Sequence, residues 1–220
     1  MHRLRLLLLL LSLLVSFSFF MTALSSVASA TPIAITDPGF ENNGQGWSTV
    51  GTSGFITGSM SEGVWSGYTN GPDGILYQLL SSTISSGNAY TLTVDLGQYY
   101  TFTGGEGSFY IYSPGSGLAT PLTNANGTAA MMNVAAPEGP CCGPGGSSAN
   151  YSPDLSVTYT ALASGDPFEG YNLGIALMGS AGIQVLWDNV RMEVTPIPEP
   201  STSLLLGLGL VGLASRRSRE

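Results

Sequence analysis

The stretch Ala89–Gly97, AYTLTVDLG, carries the clearest structural pattern in the chain. Apolar and aromatic side chains alternate along it with Thr91, Thr93 and Asp95. Because successive side chains of a strand point to opposite faces of a sheet, this period of two predicts a strand with one buried face. The side chains that we expect to face the core are Tyr90, Leu92, Val94 and Leu96.

Short segments of similar composition recur on both sides of this strand, separated by turns rich in Gly, Pro, Asn and Ser. The further predicted strands are Gly46–Val50, Phe55–Thr57, Gly63–Tyr68, Ile75–Leu80, Ser108–Ser113, Ala129–Val134, Ser156–Leu162, Tyr171–Met178 and Ile183–Val194. The last of them should bend near Asp188. Ala135–Pro153 holds four prolines and four glycines, which predicts a surface loop. The pattern predicts a single all-β sandwich.

Charge narrows the functions open to this sandwich. Residues 31–195 hold twelve acidic residues, no Lys and only Arg191, which gives a formal charge of −11. A surface this acidic excludes nucleic acid and anionic lipid as partners and is compatible with bound Ca²⁺.

The first 30 residues have the pattern of a secretory signal peptide. Arg3 and Arg5 precede a long apolar run, and Ala28-Ser29-Ala30 forms an A-x-A cleavage site, which predicts cleavage before Thr31. The long run leaves an uncleaved anchor as the alternative. The only His of the chain lies in this segment, so the rest cannot carry Ser-His-Asp or Cys-His catalysis.

The tail, residues 196–220, contains Pro198-Glu199-Pro200, an apolar run from Leu204 to Ala214 and a basic end. The basic end consists of Arg216, Arg217 and Arg219. Apolar on all sides and followed by arginines, the run predicts a membrane-inserted helix with a cytoplasmic C-terminus, although it is short for a bilayer. The alternative is a buried core helix.

Taken together, the tail resembles the PEP-CTERM sorting signal. The resemblance implies an exported protein of a Gram-negative bacterium that makes exopolysaccharide, held transiently in the inner membrane by its C-terminal helix. It also implies an exosortase-type membrane protease as a partner, acting near Pro198-Glu199-Pro200.

The body has a resemblance of its own. Asp37–Glu41 with Gly46-Trp47, Ile75–Gln78 with Gly87–Leu92, and Val185–Arg191 follow the order of the opening, middle and closing motifs of galactose-binding-like jelly rolls. Many carbohydrate-binding modules share this fold, and so do domains without a ligand, so the resemblance implies the architecture rather than the function. The signal peptide and the tail divide the chain into a signal peptide (1–30), a β-sandwich (31–195) and the sorting segment (196–220).

The jelly-roll resemblance also implies a cofactor. In such domains a structural Ca²⁺ ties the first strand to the last, and the matching positions are Glu41 and Asp188, with Asp37 as a further oxygen donor. The alternative is that Asp37 begins a turn and that Glu41 is solvated.

Sugars stack on aromatic rings, which makes several side chains candidate ligand contacts. These candidates are Trp65, Tyr68, Tyr99, Tyr100, Tyr110 and Tyr112. Strand parity places Tyr110 and Tyr112 on one face together. For each residue singly, a core position is the alternative; Trp47 and Trp187 are predicted to lie in the core.

Two further features remain open. Cys141 and Cys142 are adjacent, which allows a strained local disulfide, a cross-link to another chain or free thiols. A carboxylate pair for glycoside hydrolysis is conceivable among the acidic loop residues Glu106, Asp154, Asp166 and Glu169, but no spacing singles one out. We therefore predict no catalytic residue, and a surface or matrix protein associated with exopolysaccharide. A dedicated carbohydrate-binding module and, behind it, a polysaccharide-modifying hydrolase are the alternatives.

Overall fold

The structure is a computed structural model that describes residues 28–58, 60–98, 104–118, 120–137, 151–181 and 184–197. Within these ranges the chain forms eleven strands and no helix. The strands are β1 (Thr31–Pro32), β2 (Ser48–Val50), β3 (Ser53–Thr57), β4 (Trp65–Asn70), β5 (Ile75–Thr83), β6 (Asn88–Gln98), β7 (Glu106–Tyr112), β8 (Met131–Ala135), β9 (Tyr151–Thr160), β10 (Asn172–Ala181) and β11 (Gln184–Pro196). All ten predicted strands are present.

The strands form two antiparallel sheets. Sheet 1 has the order β3-β4-β11-β6-β9, with β1 paired to the far end of β11, and sheet 2 has the order β2-β5-β10-β7-β8. The prediction of an all-β sandwich of the jelly-roll type is thereby confirmed. Among the described residues no helix is long and apolar enough to span a membrane.

The core lies between the two sheets. As predicted, Tyr90, Leu92, Val94 and Leu96 of β6 are buried there. Trp187 of β11 is fully buried; its indole donates a hydrogen bond from Nε1 to Thr69 Oγ1 at 2.9 Å, and its ring meets Phe109 edge-on. A buried Trp needs such a partner for its N–H group. Trp47 is also buried, so both tryptophans predicted for the core are confirmed there.

Two bulges distort the outer side of sheet 1. The pairing of β6 with β11 shifts between Asp188 and Arg191, where Asn189 has φ of 49°, and this is the bend predicted near Asp188. The pairing of β6 with β9 shifts between Val94 and Leu96 of β6, beside Asp154, whose φ is 56°. Bulges change the direction in which side chains point. Here they direct residues of β9 and β11 toward the middle of β6.

The largest error in a predicted boundary lies at the start of β9. Residues 151–153 were predicted to end a surface loop, yet β9 already begins at Tyr151. The ring of Tyr151 lies over Gly97, where an added Cβ would come within 2.6 Å of it, and this packing onto β6 extends the strand through Pro153. The rest of the predicted loop, residues 138–150 with Cys141 and Cys142, lies outside the described residues.

Candidate functional site

The outer face of sheet 2 carries an apolar patch with three tyrosines. Tyr77 of β5 lies opposite Ala176 of β10, which lies opposite Tyr110 of β7. In the next row, Leu79 lies opposite Gly174 and Gly174 opposite Tyr112. The alternate residues of these strands, among them Leu76, Ile111 and Ile175, point into the core. We call Tyr77, Leu79, Tyr110 and Tyr112 the tyrosine face.

Small residues on β10 shape this face. The ring of Tyr112 lies over Gly174, where an added Cβ would come within 2.3 Å of the ring. The ring fills the space above Gly174, and Ala176 is itself 0% exposed. The small residues of β10 thus let the longer side chains of the neighbouring strands pack over the middle of the sheet.

The alternation of side chains along a strand correctly placed Tyr110 and Tyr112 on one face. The prediction that their rings are accessible for stacking on a sugar was wrong. Their exposed fractions are only 2% and 4%. The segment after β7 covers them: Tyr110 donates its hydroxyl hydrogen to Leu118 O at 2.9 Å. Burial, and after it the neighbouring Tyr77 and Tyr110, raise the pKa of Tyr112 to about 12. The accessible part of the tyrosine face is therefore Tyr77, partly buried, and Leu79, 50% exposed.

The other two described aromatic candidates lie on sheet 1. Trp65 packs against the main core and is partly buried, so it is a core side chain rather than an open platform. Tyr68 lies on the outer face, in a row that continues across the sheet through Leu186 and Gly97 to Tyr151. It is partly buried against Leu186 and Tyr151. Tyr99 and Tyr100 lie outside the described residues.

The outer face of sheet 1 also holds two buried carboxylates. Asp95 of β6 and Asp188 of β11 are paired across the sheet and are 5% and 0% exposed. Asp188 accepts hydrogen bonds from the backbone N–H groups of Ser61 and Glu62 at 2.8 and 3.1 Å and from Asn189 at 2.7 Å. Desolvation raises the pKa of Asp188 to about 6, although these donors oppose the shift.

The hydroxyl of Ser61 connects the two acids. Its Oγ lies 2.9 Å from Asp95 Oδ2 and 3.1 Å from Asp188 Oδ2. A hydroxyl has one hydrogen, so it can donate to only one of them at a time. When both acids are ionised, one carboxylate oxygen therefore faces an oxygen lone pair. A proton on Asp188 or a nearby cation would relieve this contact.

Asp95 has the more polar surroundings of the two. It accepts hydrogen bonds from the N–H group of Asp154 at 3.0 Å and from Asn189 Nδ2 at 3.3 Å, and Arg191 lies 3.7 Å away. Sequence analysis had placed Asp95 on the polar face of its strand and missed its burial. The two bulges bring Asp154 and Asn189 onto it, and a period-two pattern carries no signal for bulges.

The predicted calcium ligands are only partly brought together. Glu41 and Asp188 both approach Gly39: a Cβ added there would be 3.8 Å from Glu41 Cγ and 3.7 Å from Asp188 Oδ1. Asp37 instead uses its two carboxylate oxygens to accept the N–H groups of Asn42 and Gln45, both at 3.0 Å. This is the turn that formed the alternative for Asp37.

Glu41 and Asp188 both hold the loop between β3 and β4. Glu41 Oε1 accepts the N–H groups of Val64 and Trp65 at 2.8 and 3.1 Å, beside the Ser61 contacts of Asp188. Within the described ranges no three His, Cys, Asp or Glu side chains are grouped so as to hold a metal ion. A Ca²⁺ bound by Glu41 and Asp188 would need carbonyl and water oxygens for its remaining ligands, and it stays a prediction.

Beside this acid pair runs a groove of about 500 Å³ along β6. Thr91 and Thr93 contribute to its lining, together with Glu193. Arg191 and Asp154 also line it, and they form an ion pair from the strands on either side of β6.

The remaining acids considered for hydrolysis have structural partners. Asp166 accepts the hydroxyl of Tyr159 at 2.8 Å and the N–H groups of Leu162 and Phe168. Glu169 accepts the hydroxyl of Ser86 at 2.7 Å. Asp154 pairs with Arg191, and Glu106 opens β7 at the other end of the sandwich. The described contacts bring no two of these four acids together around a cleft.

Several predicted positions lie outside the described residues. These are the sorting residues Pro198, Glu199, Pro200, Arg216, Arg217 and Arg219, and the signal peptide before residue 28. Ala28 and Ala30, the predicted cleavage residues, are described just ahead of β1.

Comparison with known proteins identifies the tail. Residues 196–219 match the model of the PEP-CTERM protein-sorting motif. No curated protein matches the chain in sequence.

Solved structures match the body. A Stig cyclase, Fisc, from Fischerella sp. TAU, solved with an indole compound, is 20% identical, with 77% of this chain and all of that chain covered and a TM-score of 0.54. A second cyclase structure from Fischerella sp. TAU is also 20% identical, covering 76% of this chain and 98% of that chain at a TM-score of 0.50. The CBM22 tandem domain of Xyn10C from Paenibacillus barcinonensis is 13% identical, covering 80% of this chain and 50% of that chain at a TM-score of 0.50.

At such identities these likenesses establish the fold alone. The chain carries a PEP-CTERM protein-sorting motif behind an all-β jelly-roll domain whose fold is similar to that of carbohydrate-binding modules.

Proposed function

We propose that the protein is an exported, non-enzymatic component of the cell surface or extracellular matrix that associates with exopolysaccharide. An exosortase-type membrane protease would recognise its tail and release it from the inner membrane of a Gram-negative bacterium. The observation that carries the proposal is the direct joining of the sorting motif to a single jelly-roll domain that presents a tyrosine face.

The glycan contact is assigned to the accessible part of the tyrosine face. Tyr77 offers a partly exposed ring and Leu79 an exposed apolar side chain on the same face of β5. One aromatic ring and one apolar side chain make a small contact, so such a face binds a polymer through repeated weak contacts. A dedicated carbohydrate-binding module, the alternative, would differ from the proposed matrix protein only in having a defined glycan and a saturable site.

Titration calorimetry of the full chain in mild detergent against exopolysaccharide from the producing bacterium tests the proposal. Replacing Tyr77 by Ala should weaken binding about tenfold, which corresponds to about 1.4 kcal/mol. The matched control is Tyr68→Ala, which removes a partly buried tyrosine from the outer face of the other sheet. The absence of binding heat, or equal losses in both variants, would overturn the assignment to the tyrosine face.

A further inference from the structure

The sorting motif begins inside the folded domain. Its first residue, Pro196, is the last residue of β11 and pairs with Asn88 of β6. The next residue, Ile197, donates its N–H to Gly87 O at 2.8 Å. On the opposite edge of β11, Thr31 pairs with Val194, so β1 holds the same end of the strand. No flexible linker separates the domain from the motif.

Covalent geometry then fixes how far the motif can lie from the domain. An extended chain spans at most about 3.6 Å per residue, so Pro200 lies within about 11 Å of Ile197. The apolar run from Leu204 begins within about 25 Å of it. Any protein that holds Pro198-Glu199-Pro200 must therefore approach this end of the sandwich.

A groove of about 360 Å³ opens at this point. Its lining combines the largely apolar side chains of Ile33, Tyr90 and Val194 with the hydroxyl and amide groups of Thr31, Ser85 and Asn88. No described side chain that lines it is charged, although residues 31–195 hold twelve acids; cleavage before Thr31 would add the α-ammonium group of that residue. We call this groove the junction groove. Hydroxyl and amide groups offer hydrogen bonds without the electrostatic repulsion that a carboxylate would bring.

We infer that the junction groove is a contact surface for the membrane protein that recognises the sorting motif, which reads the motif and the domain end together. The steric limit makes the approach necessary, and a lining that combines apolar surface with hydroxyl and amide groups is compatible with contact to a protein. A lipid headgroup layer is the less suitable occupant, because the acidic body is repelled by anionic lipid. This inference does not rest on glycan binding.

The test uses the full chain in the producing bacterium, with an epitope-tagged exosortase-type enzyme as the probe. A photo-crosslinking amino acid replaces Ser85, which lines the groove. In the control chain it replaces Thr52, which lies between β2 and β3, near the opposite end of β11. Both side chains are exposed hydroxyls. We expect a cross-link to the tagged enzyme from position 85 and none from position 52. Its absence at position 85, or equal cross-linking at both positions, overturns the inference.

A second measurement separates contact from simple proximity. The Ser85→Arg substitution places a bulky cation at the groove and should slow removal of the tail at least fivefold, whereas Thr52→Arg should not. A six-residue Gly-Ser insertion after Ile197 moves Pro198-Glu199-Pro200 up to about 20 Å away from the groove. Because the two surfaces can then no longer be contacted together, the insertion alone should slow removal, and adding Ser85→Arg to it should slow removal no further. Equal rates for Ser85→Arg and Thr52→Arg, or an unchanged rate with the insertion alone, contradict the inference. Matching melting temperatures of the purified chains show that each variant folds.

Discussion

Asp95 and Asp188 face each other across neighbouring strands of sheet 1, and both carboxylates point at the hydroxyl of Ser61. Arg191 lies near Asp95, while Asp188 is held by backbone N–H groups. Desolvation raises the pKa of Asp188, so the stability of this site depends on the protonation of Asp188 or on a cation beside it.

The free energy of unfolding should fall as the pH rises through the pKa of Asp188. The pKa of Asp188 is about 6 in the folded chain against about 3.9 for an unperturbed Asp. Between these values the native state keeps a proton that the unfolded chain has lost. The stabilisation is therefore complete below about pH 4 and is lost as pH rises through 6, by up to about 3 kcal/mol.

The measurement is the melting temperature of the full chain from pH 4 to 8 in EDTA, compared with Asp188→Asn. The asparagine variant should be less stable at low pH, because its amide cannot accept all the backbone N–H groups, and it should lack this component of the pH dependence. Parallel curves for the two chains would contradict the shifted pKa.

Calcium, if it binds to Glu41 and Asp188 as predicted, should stabilise the end of the sandwich that contains Asp188. Ca²⁺ would raise the melting temperature at pH 7 and less so at pH 5, where Asp188 is protonated. Both Glu41→Gln and Asp188→Asn should lose the effect. Glu169→Gln, which removes an exposed acid bonded to Ser86, is the matched control and should retain it. Equal melting curves in Ca²⁺ and EDTA would mean that the jelly roll does without the ion.

The Gly174→Ala substitution should disrupt the tyrosine face. The added methyl group would meet the Tyr112 ring at 2.3 Å, which forces the ring or the strand to move. We expect a loss of about 1–3 kcal/mol in the free energy of unfolding, measured by urea denaturation. At Gly115 an added Cβ has ordinary contact, 3.4 Å from the Tyr171 ring, so Gly115→Ala should change stability much less. Comparable losses at both glycines would argue against the close packing of Tyr112.

Asn124 protects the edge strand β9. Its Oδ1 accepts the N–H of Thr160 at 2.6 Å and its Nδ2 donates to Thr158 O at 3.3 Å, so one side chain occupies two edge groups. Asn124→Ala should leave this edge open to another chain and raise aggregation, measured by light scattering on mild heating. Asn126→Ala removes an amide that bonds only within its own turn and should behave as wild type. Equal scattering by the two variants would remove the edge-protection role.

The sequence predicted strand positions well because each strand carries its own signal. Tyr90 to Leu96 alternate with polar residues, and turn residues bound the other segments, so local pattern alone located all ten predicted strands. The sorting motif was equally legible, because a Pro-Glu-Pro triplet, an apolar run and an arginine cluster occur in order. Strand order within the sheets has no local signal, since it depends on contacts between distant residues.

The candidate sites were less predictable for the same reason. Parity placed Tyr110 and Tyr112 on one face, but their burial depends on the covering segment around Leu118. The acid pair arises where bulges at Asn189 and Asp154 converge on one strand. Where a bulge with a left-handed residue forms depends on the strand with which it pairs. The sequence around Asp95 alone therefore could not predict the burial of this side chain.

The position of β11 also bears on how the molecule carries mechanical load. The strand is internal to sheet 1, bonded to β6 on one side and to β4 and β1 on the other. The tail leaves from its end, so tension between an anchored tail and the rest of the domain runs along the strand axis. Such tension shears many backbone hydrogen bonds at once, whereas an edge strand would peel away bond by bond. A domain tethered in this way resists extraction of its last strand under flow or drag.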